Sequence, residues 1–148
     1  MANLGGTASI EVDAPIEACW DLAQDTGSAP EWQEGLDAID VRERDAAGRP
    51  LVAETVSDAK VRKVKSLVRF SYEEPHRVGW RQEKGDLKTL DGAWELEALG
   101  PDRTRVTYRL EGDPGRMLGM LIRGPVEDRL REILVGGRPA EFKARLAG

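Results

Sequence analysis

The chain has 148 residues, 40% apolar and 33% charged, which suits one ordinary globular domain able to bury its own core. A single cysteine, Cys19, excludes an internal disulfide and a multi-cysteine metal site, and a single histidine, His76, leaves histidine-based chemistry resting on one side chain. The net charge of −5 is uneven: residues 1–40 hold nine acids and no Lys or Arg, the reverse of a nucleic-acid binder's basic face.

No apolar run approaches the ~20 residues of a membrane span. The start of the chain has neither the basic residues nor the apolar stretch of a signal peptide. The expectation is one soluble, cytoplasmic domain over residues 1–148, with no cofactor and no metal. The densest basic stretch, Lys60–Lys65, reads as a solvated strand face beside a loop.

In chain order, Ala8, Ile10 and Val12 alternate with polar residues and predict a half-buried strand. Asp13 is placed to cap a helix over residues 15–24, with Pro15 suited to its first position and Ile16, Cys19, Trp20 and Ala23 on one face. Gly27 and Pro30 break that helix, and residues 30–34 read as one further turn. Six strands follow, at residues 36–44, 50–57, 61–72, 78–82, 90–98 and 103–110, separated by turn residues. The last four form an antiparallel meander with one dry face.

The pattern then changes. Met117, Leu118, Met120, Leu121 and Ile122 make a short apolar helix, and Gly124-Pro125 interrupts it. Val126, Leu130, Ile133 and Leu134 continue at helical spacing. Phe142 and Leu146 fall off that stripe, so a kink at Gly136-Gly137-Arg138-Pro139 is needed to turn both stripes to one sheet. This last helix is the only element long enough to cover the sheet's apolar face.

That order, together with Ile10-Glu11-Val12-Asp13-Ala14-Pro15, the Pro30-Glu31-Trp32 turn, Glu74-Pro75-His76-Arg77-Val78-Gly79-Trp80, Gly92-Ala93-Trp94-Glu95-Leu96 and Thr104-Arg105-Val106-Thr107-Tyr108, resembles the START-related helix-grip superfamily, in its polyketide cyclase/dehydrase-like and lipid-transport-like branch. The resemblance covers nearly the whole chain. It implies an α+β helix-grip fold: a curved antiparallel sheet of about seven strands wrapped around a long C-terminal helix, with two short helices after the first strand. It also implies a hydrophobic small-molecule ligand held between sheet and helix.

The inward positions of the strands give the candidate ligand-binding residues. These are Val64, Ser66, Val68, Phe70 and Tyr72 on one strand, Trp80 and Gln82 on the next, then Leu90, Trp94 and Tyr108. From the helical segment come Met117, Met120 and Leu121, expected at the cavity mouth. The glycines and methionines of residues 114–124 fit an adaptable lid.

Catalytic residues do not stand out. His76 sits in a turn, and Cys19 reads as a buried, inert thiol. Glu11, Asp13 and Glu17 suit a helix start, and Glu95 and Glu97 the solvated strand face. Ser66, Gln82, Tyr72 and Tyr108 can orient a ligand oxygen, but none is a strong base. Three readings follow: a binder or carrier of a lipid, polyketide or aromatic molecule; a cyclase/aromatase that folds a reactive substrate; and a protein-interaction or toxin-like module.

Overall fold

A computed structural model describes residues 4–148; residues 1–3, the start of the expected domain, lie outside the described residues. Seven strands form one curved antiparallel sheet: β1 (Gly6–Val12), β2 (Leu36–Arg44), β3 (Pro50–Asp58), β4 (Lys63–Glu73), β5 (Arg77–Gly85), β6 (Thr89–Gly100) and β7 (Arg103–Asp113). Their order is β1-β7-β6-β5-β4-β3-β2, so the meander from β2 to β7 is closed by β1 pairing with β7.

The two-residue period decides the faces. On β7, Thr104, Val106, Tyr108 and Leu110 are buried while Arg103, Arg105 and Arg109 are exposed; β4 alternates in the same way. The outer face carries exposed pairs such as Arg109–Glu95, Arg105–Glu97 and Arg69–Glu83. Each such exposed pair adds little stability. At one inner position, Gly92 of β6 lies opposite Trp80 of β5, and a Cβ there would come within 2.6 Å of the indole. The missing side chain is what lets Trp80 lie flat against the sheet.

Helix α1 (Ile16–Gln24) packs on β6 and β7 and is followed by a 3-10 turn, Thr26–Glu31. Pro15, not Asp13, is the N-cap, and it brings no side-chain cap. The extra turn begins four residues earlier than the sequence pattern places it; Ser28 stabilises it by donating to the Asp25 carbonyl at 2.8 Å. After β7 come α2 (Gly115–Leu121), α3 (Pro125–Arg131), a π turn (Glu132–Gly136) and α4 (Arg138–Ala147). Together, residues 125–147 make the long C-terminal helix.

The π turn explains how both apolar stripes reach the sheet. In an unbroken α-helix Phe142 would stand about 120° around from Leu130. One extra residue in a π turn reduces that offset to about 20°. Leu130, Ile133, Val135 and Phe142 are accordingly all buried. The C-terminal helix rests on the β1 and β7 wing of the sheet.

Candidate functional site

With α1 and α4 on the β1, β7 and β6 side, the inner faces of β3, β4 and β5 are not covered by a helix along their whole length. A cavity of about 140 Å³ remains there, against the 3-10 turn and the C-terminal helix. It lies between two packed clusters. One contains Phe70, Trp94, Tyr108 and Phe142; the other contains Leu4, Ala59, Val64, Leu118, Ile122 and Leu130. Leu134 touches both clusters and lines the cavity.

The aromatic wall is continuous. Phe70 neighbours Trp80 at 6.4 Å between ring centroids, Trp80 neighbours Tyr108 at 5.7 Å, and Tyr108 neighbours Trp94 at 4.6 Å. Trp94 in turn meets Phe142 at 4.9 Å and Trp32 at 6.0 Å. Tilted rings at such spacings add stability beyond the area they bury.

Most polar groups around the cavity are spent on the fold. Ser66 donates to Gln82 Oε1 at 2.8 Å, and Gln82 Nε2 donates to the Leu87 carbonyl at 2.9 Å. The Tyr72 hydroxyl donates to the Pro50 carbonyl and accepts from Thr26. Arg138, at the start of α4 and only 3% exposed, differs. Its Nη1 donates to the Glu34 carbonyl at 2.6 Å, to the Ile133 carbonyl at 3.4 Å and to Glu141 Oε1 at 3.0 Å. Its Nε is buried without a partner. Beside it, burial pushes the Tyr108 hydroxyl above its ordinary pKa, against the opposing pull of the Arg138 cation. Tyr108 is therefore a neutral phenol at physiological pH.

Eight of the expected residues lie on the cavity wall: Val64, Ser66, Val68 and Phe70 from β4, then Trp80, Leu90, Trp94 and Tyr108. Five do not. Tyr72 and Gln82 are held in the hydrogen bonds just described, away from the lining. Met117, Met120 and Leu121 are 81%, 63% and 59% exposed. The seven-residue α2 turns Leu118 and Gly119 inward, so its other apolar side chains face out. Leu118 alone brings α2 to the cavity.

Trp32, Gln33, Leu134 and Arg138 also line the cavity, and the strand alternation does not point to them. They sit outside the strands, where a period of two says nothing. Arg138 carried one legible signal: it is the only base between Arg131 and Lys143, with Glu141 three residues on.

The weaker catalytic candidates stay outside. His76 lies in the β4–β5 turn, its Nδ1 3.4 Å from the Leu96 carbonyl. Cys19 is fully buried, and burial raises its thiol pKa. Glu11 pairs with Arg103. Among the described residues, no cluster of three His, Cys, Asp or Glu could hold a metal ion, and no helix is long and apolar enough to cross a membrane.

Residues 5–138 match the family described as polyketide cyclase/dehydrase and lipid transport. The chain belongs to that family. No curated protein matches the sequence. Among solved structures, TTHA0849 from Thermus thermophilus is similar at 21% identity and a TM-score of 0.81, covering 97% of both chains. A START superfamily protein from Mycobacterium smegmatis is similar at 19% identity and a TM-score of 0.72, over 97% of this chain and 93% of the other. The Zhui aromatase/cyclase from Streptomyces sp. R1128 is similar at 15% identity and a TM-score of 0.72, over 98% and 94%. At these identities the likeness is one of fold.

Proposed function

We propose that the protein binds an apolar, ring-bearing small molecule in the cavity between the sheet and the C-terminal helix. The observation that supports this is a cavity walled by Phe70, Trp80, Trp94, Tyr108 and Leu134 with few unspent polar groups. Such a lining gains from removing apolar surface from water, at roughly 25 cal/mol per Å². Apolar cavities of ~150 Å³ take up a benzene-sized molecule. At about 140 Å³ the cavity suits one ring in its present form, and a larger ligand requires side chains to yield.

The family's name also raises a catalytic reading, and the fold shared with an aromatase/cyclase favours it. Cyclisation needs a group that accepts a proton near the substrate. The lining carboxylates are Asp25, which is exposed, and Asp58, which accepts from the Lys60 amide and pairs with Lys63. The lining supplies donors rather than a buried base, so binding is the better-supported reading.

Native mass spectrometry of freshly purified protein tests it, followed by titration with toluene monitored through tryptophan fluorescence. The expected result is a 1:1 complex that Val68→Phe, which fills the cavity, abolishes. Equal binding by the filled variant overturns the proposal. Turnover of an aromatic polyketide mimic would transfer the conclusion to the cyclase reading.

A further inference from the structure

The Arg138 corner of the cavity contains a donor with nothing to donate to. Arg138 is 3% exposed; its Nη1 donates to Glu34, Ile133 and Glu141, and its side chain also hydrogen-bonds the Tyr108 hydroxyl. Those bonds are structural. Glu141 receives Nη1 on Oε1 and the Glu34 amide on Oε2, and Arg145 reaches Glu31, so three side chains of α4 clamp the segment before β2. The clamp leaves the Nε edge unused, and Nε is buried without a partner. A buried donor left unsatisfied is costly and rare in folded proteins. Of the two such donors among the described residues, Trp20 Nε1 and Arg138 Nε, only the second belongs to a cavity-lining residue.

Its surroundings specify what would satisfy it. Tyr108 lies in the same wall, with the Arg138 guanidinium carbon 6.0 Å from its ring centroid. Gln33, also buried, lines the cavity beside them. The Arg138 charge is already balanced by Glu141 at 3.0 Å. The remaining charged groups of the lining, Asp25 and Asp58, are acidic. A ligand carboxylate or phosphate would bring a negative charge that no unpaired cation of the lining balances. A neutral oxygen acceptor brings none, and still receives a charge-assisted hydrogen bond.

We infer that Arg138 and Tyr108 form a recognition point for a neutral carbonyl oxygen, so that the cavity selects ring-bearing ketones, esters or quinones over hydrocarbons and over acids. This rests on the proposed binding of an apolar small molecule and assigns its polar end. Arg138 and Tyr108 are positioning residues here.

Three probes of nearly the same shape test it: acetophenone, α-methylstyrene, in which CH2 replaces the oxygen, and benzoate. Without a donor in the wall, losing water from the carbonyl makes acetophenone the weaker ligand of the first two. With the donor, acetophenone should bind about tenfold tighter than α-methylstyrene. Its carbonyl stretch, read by infrared difference spectroscopy, should fall below its value in alkane solvent. Tyr108→Phe should narrow the preference and Arg138→Met should reverse it. The stretching frequency needs no variant, so the inference stays testable if Arg138→Met fails to fold. Tighter α-methylstyrene, an alkane-like frequency, or a preference for benzoate each overturns it. Binding of α-methylstyrene with no preference for acetophenone overturns this inference and leaves the binding proposal standing. Binding of neither overturns both.

Discussion

The two cores flanking the cavity are built from different materials. On one side, rings from β4 to β7, the 3-10 turn and α4 interlock through Trp94, which touches Trp32, Tyr108 and Phe142. On the other, Leu4, Ala59, Val64, Leu118, Ile122 and Leu130 meet as aliphatic side chains drawn from a terminus, a hairpin and two seven-residue helices. Strands pinned on both sides supply most of the first core. The second depends on short elements that bury few residues each, and α2 buries only Leu118 and Gly119. A region with fewer buried apolar side chains per backbone hydrogen bond opens at lower free energy. The aromatic side therefore acts as the fixed wall of the cavity, and the aliphatic side as the compliant one.

Five measurements break or sharpen this contrast. The largest effect is expected for Trp94→Ala, which should cost roughly 3–5 kcal/mol in chemical denaturation because three neighbouring rings lose a partner. A loss under about 1 kcal/mol would remove the distinction between the walls. Leu118→Ala should cost about 2 kcal/mol, near the low end for a core leucine, because one side already faces the cavity. Amide exchange extends the test: α2 should exchange faster than α4.

A smaller effect belongs to pH. Burial raises the Tyr108 pKa in the folded state, so its stabilising contribution is complete below the unfolded value of about 10 and is lost as pH rises beyond it. Tyr108→Phe should flatten the alkaline decline of the urea midpoint; an unchanged slope would place the phenol in water. The smallest effect is expected for Met117→Ser, whose side chain is exposed, with a change within about 0.5 kcal/mol. A larger loss would show α2 packed on something this structure does not give it.

The fold was legible because its signals are local and repeated. Alternation on β4 and β7 separates inner from outer faces residue by residue, and Gly124-Pro125 marks where α2 gives way to α3. The site was half legible for the same reason. Val64, Ser66, Val68 and Phe70 follow from strand period alone, whereas Trp32 and Gln33, just past the 3-10 turn, and Arg138, at a helix start, sit where no period describes them. Methionines misled: Met117 and Met120 share an apolar segment with Leu118, but a helix this short turns only one side inward.

The π turn at Glu132–Gly136 has a consequence for how the gene can change. Removing one codon there would restore regular α-helical geometry, a local repair by every backbone criterion. It would leave everything beyond in nearly the same rotational phase, since eleven residues of regular α-helix also place Phe142 about 20° from Leu130, with Phe142 still on the Trp94 ring and Arg138 still at the Glu34 carbonyl. Loss of one residue here keeps Leu130 and Phe142 on one face; straightening the stretch at its present length would turn Phe142 about 120° away. The reading frame of the helix, counted in turns rather than bases, is what the apparent irregularity preserves.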